Sequence, residues 1–588
     1  MQEVDGLVTC PSLPAGFFQQ VKTGALHPAQ WERREGKYTP ITYQMFSDRV
    51  KKVATGLIKA GVNPGDRVAI LMENRPEWGV ADFAILSVGA VTVPLYCSYR
   101  PQDIAYVLQD SGAVLAIVSS GQLQGHMVQA MDECPEIRGA YALDIQQPHE
   151  KMHLFSELEI EADDEQVQRR YAELTRDSLA SLIYTSGTTA SPKGVMLSHG
   201  NILSNLESVL RTLQLGDDIM LSFLPLAHAF ERTGGHFLPY LTGFSVAFAE
   251  RPDTVAKNLA EVSPSIMIAV PRMLEVIQSR ILAQVAKQSG LHRALFHAFF
   301  EVSERKKAGN ISMFSAWKYK LLNRLVGVKL RARFGGNIRF FVSGGAPLSA
   351  EIGAFFETLG IPIIEGYGLT ESAPILAITP EDDRRLGSVG RPPAGVEIQI
   401  AEDGEILARG GNIMLGYWNL PDATAEVIQD GWLHTGDVGH LDNGYLYITD
   451  RKKDLIVNSG GENIAPQRVE APLIGEPLIE QVIVYGDQRP YLVAIVVPNQ
   501  DACMAWAVSS GMPSSGWQEL ASSEVLRKHI QSQIQQRLKT LNPHEQVRRI
   551  YIQIEPFTIE NGFLTPTMKL KRRLINQHYA EIFESLYR

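Results

Sequence analysis

The stretch SLIYTSGTTASPKGV occupies residues 181–195 and decides the fold. It begins as an apolar β-strand pattern and continues into a loop rich in hydroxyl and glycine residues, with one lysine at Lys193. Glycines let backbone N–H groups approach a polyphosphate, hydroxyls hydrogen-bond to it, and a lysine offsets its charge. The order Lys-Gly differs from the Gly-Lys-Ser/Thr order of a Walker A loop. Composition alone leaves an ordinary solvent-exposed loop as the alternative.

Apolar runs and helical patterns alternate on both sides of this stretch, from about residue 40 to 260. Residues 67–72, 90–95 and 113–118 are typical of buried strands, and residues 78–89 of a helix. Strands separated by helices predict right-handed βαβ units and a parallel sheet. We therefore expect a large α/β N-terminal domain of βα-layered sheets.

The pattern changes toward the carboxyl terminus. Residues 405–410 and 444–448 are short β segments near glycines and predict a small antiparallel, β-barrel-like unit. The charged run DRKKD at 450–454 predicts a domain boundary and hinge. We expect an N-terminal domain over residues 1–450 and a small, mobile α+β domain over residues 451–588.

Composition limits the class of protein. A chain of 588 residues is too long for one hydrophobic core, and a net charge of −10 argues against a nucleic-acid binder. Its 4 cysteines form no CxxC pair, which favours a reducing compartment. The uncharged stretch at 233–249 is shorter than a spanning helix, and the start of the chain lacks a signal-peptide pattern. We expect a cytoplasmic protein, at most peripheral on the cytoplasmic face of the membrane.

Several further segments follow residues 181–195 in a fixed order: FVSGGAP at 341–347, EGYGLTE at 365–371, WLHTGD at 432–437, DRKKDLI at 450–456 and SGGENI at 459–464. In this order they resemble the adenylate-forming superfamily of acyl-CoA synthetases, luciferases and peptide-synthetase adenylation domains. The resemblance implies ATP and Mg²⁺ as cofactors and a carboxylic acid as substrate. Ala190 departs from it, since many members carry glycine there.

The resemblance also implies which residues bind the nucleotide. Tyr367 would stack on adenine, Thr370 would meet the phosphate, and Glu371 with Thr185 would hold magnesium. Asp437 would bind the ribose hydroxyls and Arg451 the ribose and phosphate. The complete set implied for nucleotide binding is Thr185, Ser186, Gly187, Thr188, Thr189, Lys193, Gly344, Gly345, Ala346, Pro347, Glu365, Gly366, Tyr367, Gly368, Thr370, Asp437, Arg451 and Lys569.

The segment LTPTMKLKRR at 564–573 resembles the one that carries the family's catalytic lysine. Lys569 takes that position, with Lys571 as the nearest rival, and Met568 stands where the family usually has glycine. Lys453 matches the pivot of the inter-domain hinge. The residues implied for a thiol tunnel that admits CoA as co-substrate are Gly460, Gly461 and Glu462. Asn463 occupies the position of a gating tryptophan found in some long-chain members.

The run LPLAHAFER at 224–232 resembles the long-chain fatty acyl-CoA synthetase branch and implies that His228 lies beside the acyl pocket. We therefore predict a long-chain fatty acid–CoA ligase whose catalytic set is Lys569, Thr185, Glu371 and His228. Two alternatives stay open: an acyl-acyl carrier protein synthetase with the same adenylation chemistry, and a catalytically silent lipid-binding or scaffold homologue.

Two other patterns allow competing interpretations. Residues 301–335 carry nine Lys or Arg against two Glu, so the basic 305–333 segment is either a solvated helix face or a docking site for an anionic membrane surface or an acyl carrier protein. The HEKMH run at 149–153 has the spacing of a zinc-protease helix, but Pro148 permits only the start of a helix there. We interpret it as a polar connection between βα units.

Overall fold

The computed structural model describes residues 7–185, 192–251, 254–307, 312–460, 462–512, 516–565 and 569–588. The chain divides into two compact units. Unit 1 comprises Met1–Leu274, Arg280–Gln399 and Leu407–His434, and unit 2 comprises Glu275–Ser279, Ile400–Ile406 and Thr435–Arg588. The domain boundary predicted at residues 450–454 remains a prediction.

The strands are, in chain order, β1 Pro28–Arg34, β2 Lys37–Thr42, β3 Arg67–Leu71, β4 Val91–Leu95, β5 Ala113–Val118, β6 Gly139–Ala142, β7 Met152–Leu154, β8 Leu179–Thr185, β9 Lys193–Ser198, β10 Ile219–Ser222, β11 Ser245–Phe248, β12 Ile266–Ala269, β13 Phe340–Ser343, β14 Ile363–Gly368, β15 Ile375–Ile378, β16 Val396–Ile400, β17 Glu405–Gly410, β18 Gly416–Tyr417, β19 Ile428–Gln429, β20 Trp432–Asp442, β21 Tyr445–Arg451, β22 Ile456–Val457, β23 Asn463–Ile464, β24 Ile479–Tyr485, β25 Leu492–Pro498 and β26 Val547–Ile552.

The α-helices of at least five residues are Leu13–Gly24, Tyr43–Lys59, Pro76–Ser87, Pro101–Ser111, Gln122–Asp132, Asp164–Ala172, His199–Leu210, Leu238–Thr242, Val255–Val262, Pro271–Ala286, Gly290–Lys307, Met313–Leu322, Val328–Ala332, Ala350–Leu359, Pro421–Val427, Pro466–Ile474, Gln500–Ser509, Trp517–Ala521, Glu524–Arg537, Arg572–His578 and Ala580–Ser585. Within the described ranges, none of the helices has both the length and the apolar composition needed to cross a bilayer.

The first large sheet of unit 1 has the strand order β18-β9-β8-β4-β3-β5-β6-β7. β3 pairs parallel with β4 and β5, and the intervening helices bury their apolar faces against the sheet, as the alternating pattern predicted. β8 and β9 pair antiparallel, so the decisive stretch forms a hairpin. The HEKMH segment ends in β7, which places His153 on a strand and not on a shared helix face with His149.

The second large sheet has the order β15-β14-β13-β12-β10-β11-β1-β2. β12, β13 and β14 run parallel, so the glycine-rich segments that follow β13 and end β14 meet at one edge of the sheet. The helical region predicted after residue 272 follows β12, with helices Pro271–Ala286, Gly290–Lys307 and Met313–Leu322. The α/β fold class is confirmed.

The β-rich segment around residue 440 forms a five-stranded sheet in which β20 pairs antiparallel with β19 and β21. In unit 2, β24, β25 and β26 form a three-stranded sheet with apolar residues on both faces. One face packs against Val469 and Ile530 of the helices Pro466–Ile474 and Glu524–Arg537, and the other against Phe583 near the carboxyl terminus. Unit 2 therefore has its own hydrophobic cores.

Candidate active site

The β8–β9 hairpin brings Thr185 and Lys193 together as cross-strand partners. Thr185 is the last residue of β8 and is half-buried, and Lys193 begins β9. Ser186, Gly187, Thr188 and Thr189 lie outside the described residues. The strand pairing fixes the two ends of the predicted phosphate loop, since Thr185 and Lys193 face each other across its base.

Lys193 and Glu371 are connected through the side chain of Tyr417. The Lys193 ammonium lies 4.8 Å from the centre of the Tyr417 ring, and the Tyr417 hydroxyl donates a hydrogen bond of 2.8 Å to Oε1 of Glu371. Burial and the Glu371 carboxylate raise the pKa of Tyr417, so its hydroxyl remains a donor at neutral pH. This arrangement places a cation, a phenol and a carboxylate at the base of the loop.

Asp110 anchors this arrangement. Its carboxylate accepts a 2.6 Å hydrogen bond from the Tyr184 hydroxyl, and its backbone carbonyl accepts one of 3.0 Å from the Trp418 indole. β18, which carries Tyr417, pairs antiparallel with β9. Contacts on both sides of Tyr417 therefore hold its ring over Lys193.

The ends of β13 and β14 require glycine for steric reasons. A Cβ atom at Gly344 would lie 3.1 Å from the Gly366 carbonyl and 3.1 Å from the Phe230 ring, and one at Gly368 would lie 1.8 Å from the Pro374 carbonyl. The following residues, Gly345, Ala346 and Pro347, are exposed, Tyr367 is buried, and Thr370 is half-buried. Backbone groups thus line this edge of the sheet closely enough to exclude side chains.

Polar groups without internal partners lie at the same edge. The hydroxyls of Ser343 and Thr379 are buried, and neither has a hydrogen-bond partner among the described residues. Glu365, the cross-strand partner of Ser343, has a pKa raised to about 8 by desolvation. Buried polar groups are normally hydrogen-bonded, so these hydroxyls fit a site that receives a ligand or water.

His228 is the N-cap of the short helix Ala229–Glu231, and its Nδ1 accepts a hydrogen bond of 3.3 Å from the Phe230 N–H. The preceding loop is held from two sides. Asn74 donates to the Leu224 carbonyl at 2.6 Å and to the Ser222 hydroxyl at 2.9 Å, and Ser222 donates to Glu231 at 2.7 Å. A buried polar chain therefore positions the segment that carries His228.

Replacing Glu231 by glutamine is expected to flatten the pH dependence of stability between about pH 4.5 and 8. Burial raises the pKa of Glu231 from 4.5 to about 8, so the native state keeps a proton that the unfolded state has lost. The contribution of this retained proton to the stability of the native state is fully present below pH 4.5 and is lost as the pH rises through 8. Urea-unfolding midpoints of the variant and wild type should diverge across this window, with exposed Glu165→Gln as control; parallel curves would contradict the assignment.

A buried ion pair lies next to the hydrogen-bonded side chains of Asn74, Ser222 and Glu231. Arg232 donates to Asp82 through Nε at 3.0 Å, and Nε2 of His236 lies 3.1 Å from the same carboxylate. Arg232 also donates to the Ser181 hydroxyl on β8. Desolvation raises the pKa of Asp82, but the charge of Arg232 and the interaction with the His236 ring outweigh it, so the pKa is lowered. The Phe-Glu-Arg run therefore connects the His228 segment to the strand that leads into the loop.

Unit 2 holds the remaining predicted nucleotide residues. Asp437 on β20 and Arg451 on β21 are cross-strand partners and form an ion pair of 3.1 Å between Oδ1 and Nε. Desolvation, followed by the charge of Arg451, lowers the pKa of Lys569 to about 8, while Asp437 opposes that shift. The residue nevertheless keeps an exposed surface. Lys569 is therefore electrostatically coupled to both partners.

The hinge and thiol-tunnel predictions fall on adjacent turns. Lys453 is exposed in the turn that follows β21. Asn458 accepts hydrogen bonds of 2.9 Å from the N–H groups of Gly460 and Glu462, and its amide donates to the Glu462 carboxylate at 2.8 Å. Gly461 lies outside the described residues. Asn458 thus shapes the loop that carries Gly460 and Glu462.

Sequence reasoning missed Tyr417, Asp110, Asn74 and Asn458. Tyr417 stands in the run GYWN at 416–419, an aromatic pair after a glycine that carries no recognisable motif by itself. Its position over Lys193 follows from strand pairing between distant segments. The pairing of β18 with β9 and the contacts of Tyr417 with Lys193 and Glu371 identify it as part of the site.

The fold and these residues define an adenylate-forming enzyme. The chain belongs to the AMP-binding enzyme family, whose sequence model matches residues 17–418, and the model of the AMP-binding enzyme C-terminal domain matches residues 453–588.

Similar proteins come from several kingdoms. The chain is 35% identical to the long-chain-fatty-acid–CoA ligase FadD15 of Mycobacterium bovis over 94% of this chain and 93% of that protein. It is 31% identical to the peroxisomal long chain acyl-CoA synthetase 6 of Arabidopsis thaliana over 94% of this chain and 82% of that protein. Among solved structures, the adenylation domain of a carboxylate reductase from Mycobacterium chelonae superposes with a TM-score of 0.79 at 23% identity, covering 100% of this chain and 93% of that one.

Proposed function

We propose that this protein is a long-chain fatty acid–CoA ligase that forms acyl-AMP and pyrophosphate from a fatty acid and ATP, then transfers the acyl group to CoA with release of AMP. The observation that carries the proposal is an apolar cavity whose wall includes Phe230. The ring of Phe230 also lies 3.1 Å from the position that a Cβ atom at Gly344 would occupy. An apolar site and the predicted nucleotide edge thus share one residue. The full-length similarity to ligases of this class supports the same activity.

The cavity lies in unit 1 between the second large sheet and two helical segments. Its lining is apolar apart from Thr233 and includes Leu206 and Val209 of one helix, Ile268 of β12 and Val342 of β13. Its volume is about 40 Å³, well below the roughly 300 Å³ of a typical ligand pocket. A long acyl chain would therefore need side chains of the lining to move aside.

The proposed first step joins two anions. A carboxylate oxygen of the fatty acid attacks the α-phosphorus of ATP, the new O–P bond forms, and the bond to pyrophosphate breaks. Lys193 at the phosphate loop and Lys569 in unit 2 supply positive charge that offsets the repulsion. Asp437 accepts hydrogen bonds from ribose hydroxyls, and Tyr367 offers its ring to the adenine.

The residues present also fit magnesium. Glu371 is half-buried, and one of its carboxylate oxygens accepts the Tyr417 hydrogen bond, which orients the group. Nucleotide-bound Mg²⁺ needs only one or two protein carboxylates, because phosphates and water complete its oxygen ligands. Glu371 and the Thr185 hydroxyl would hold it. When bound, the ion neutralises phosphate charge, while Lys193 and Tyr417 orient the surrounding groups.

In the proposed second step the CoA sulfur attacks the acyl carbonyl and AMP leaves. We assign Lys453 as the hinge residue between the two half-reactions, and the loop with Gly460 and Glu462 as the lining of the thiol path. Two observations support the hinge assignment: Lys453 is exposed in a turn, and the C-terminal family model begins at residue 453. The domain boundary at 450–454 is part of this proposal.

Acid-dependent ATP–pyrophosphate exchange tests the function directly. Exchange is expected with long-chain acids, followed by acyl-CoA formation when CoA is added. Exchange with no acid from hexanoate to eicosanoate would indicate a catalytically silent lipid-binding or scaffold homologue. Transfer to acyl carrier protein in place of CoA would make the protein an acyl-acyl carrier protein synthetase.

We place it in the cytoplasm, peripheral on the membrane through the basic 305–333 segment.

Replacing Gly234 by leucine is expected to shift the preference toward shorter acids. A Cβ at Gly234 already lies 2.8 Å from Cδ1 of Ile268, so a longer side chain fills the cavity. We expect kcat/KM for palmitate to fall about tenfold or more while that for octanoate is retained, a loss typical of overpacking. Gly216→Leu is the matched control, because nothing lies within 4 Å of a Cβ there. Equal losses for both acids would place the acyl chain elsewhere.

A further inference from the structure

The helix Met313–Leu322 exposes a set of large apolar side chains that no part of the described chain covers. Met313 is 91% exposed, Phe314 73%, Trp317 61% and Leu321 44%. At about 100° per residue these four positions fall within about 100° of the helix circumference. Exposed apolar residues scattered singly are ordinary, whereas a contiguous stripe with two aromatic rings marks an interaction surface. We name Met313, Phe314, Trp317 and Leu321 the apolar stripe.

The basic residues of the 305–333 segment divide into two groups. Five of them have internal partners: Arg305 pairs with Glu301, Lys306 lies over the Tyr319 ring, Lys307 pairs with Glu357, Arg331 donates to the Leu359 carbonyl, and Arg333 donates to Gln284. The other four, Lys318, Lys320, Arg324 and Lys329, are exposed and form no ion pair within the described ranges. The second group is available to an external anion.

Two of these exposed cations, Lys318 and Lys320, flank the apolar stripe. On the same helical projection Lys318 follows one border of the stripe and Lys320 precedes the other. Long basic side chains beside apolar and aromatic groups are the pattern of a helix that lies in the plane of a membrane interface, with the rings in the acyl boundary and the ammonium groups at the phosphates. An acidic protein would engage the cations, but a helix with a stripe of exposed apolar side chains bordered by lysines on both sides is the pattern expected for a bilayer interface.

We propose that the apolar stripe and its flanking lysines dock the protein on an anionic lipid bilayer. Lys318 and Lys320 contact lipid phosphates, and Phe314 and Trp317 enter the interface beneath them. The benefit to catalysis rests on the proposed function, because long-chain fatty acids partition into bilayers and a docked enzyme meets them there. The docking itself depends only on the surface.

Vesicle flotation of the full-length protein tests the proposal. The wild type is expected to float with phosphatidylcholine vesicles that contain phosphatidylglycerol and to bind less at high salt. Lys318→Glu with Lys320→Glu should weaken binding about tenfold or more at low salt. Phe314→Ser with Trp317→Ser should weaken it by a similar factor and remove the binding that persists at high salt.

Matched controls change the same chemistry elsewhere. Lys52→Glu with Lys539→Glu alters two exposed lysines, and Leu26→Ser with Met45→Ser alters apolar residues that are 83% and 57% exposed. Both control pairs should bind vesicles as the wild type does. Absence of wild-type binding, or equal binding by the stripe variants, would overturn the proposal. Capture of acyl carrier protein that depends on the lysines but not on the rings, without vesicle binding, would do so as well.

Measurements of exchange activity test the docking surface and the proposed ligase function separately. Exchange with water-soluble octanoate should be unchanged in the stripe variants, whereas exchange with palmitate supplied in vesicles should fall. A wild type that floats with vesicles but shows no exchange with any acid would refute the ligase function and leave the docking surface intact.

Discussion

Replacing Lys569 by alanine is expected to lower the rate of acyl-adenylate formation by about 10²–10³, the loss found when a charge-stabilising group is removed from a transition state. The thioester step from supplied acyl-AMP and CoA should remain close to wild type. In the proposed mechanism Lys569 offsets the approach of two anions in the first step, whereas an uncharged acyl carbonyl reacts in the second. Single-turnover measurements of each half-reaction give the comparison.

Lys571→Ala is the matched control, since it removes the same charge two residues away, at the start of the helix Arg572–His578. It should leave adenylation nearly unchanged. The pH profile gives an independent readout: because the pKa of Lys569 is lowered to about 8, kcat/KM for adenylation should decline as pH rises through that value. Equal losses in both half-reactions, or a larger loss in Lys571→Ala, would reject the assignment.

Replacing Glu371 by glutamine is expected to reduce pyrophosphate exchange by about a hundredfold or more, because the carboxylate that we propose as a magnesium ligand loses its charge while keeping its shape. The affinity for ATP measured by calorimetry should become insensitive to Mg²⁺ in this variant.

Tyr417→Phe keeps the carboxylate but removes its 2.8 Å hydrogen bond. It should lose only about tenfold, the contribution of one hydrogen bond to a charged group.

The two variants together discriminate between roles for Glu371. If Glu371 only supported β18, Glu371→Gln and Tyr417→Phe would lose similar amounts of exchange activity. ATP binding would then keep its normal dependence on Mg²⁺. Retention of that dependence in Glu371→Gln would remove Glu371 and Thr185 from the proposed metal site.

Much of the fold was predictable from local patterns. The strand predicted at residues 113–118 is β5, and the one predicted at 405–410 is β17. Both are short apolar runs bounded by turns, so burial and backbone conformation follow from neighbours in the sequence. The helix predicted at 78–89 is displaced by two residues, because Pro76 occupies the first turn and begins it earlier.

The candidate site was predictable in its chemistry but not in its connections. The motifs supplied Thr185, Lys193 and Glu371, since each residue type matches a need of the nucleotide. Tyr417, which connects Lys193 to Glu371, has no motif of its own and acquires its position from the pairing of β18 with β9. Asn74 similarly supports the His228 segment from a distant part of the chain.

The amino-acid sequence by itself determined the chemical groups of this protein, the strand and helix pattern and the order of its motifs, because these depend on residue type and near neighbours. Only the tertiary structure decided which groups meet: the tyrosine between a lysine and a carboxylate, the apolar cavity whose wall reaches a glycine of the proposed nucleotide site, and the exposed apolar stripe beside two exposed lysines. The physical reason is that contact and burial depend on distances between residues far apart in the chain, which are set when sheets pair and helices pack.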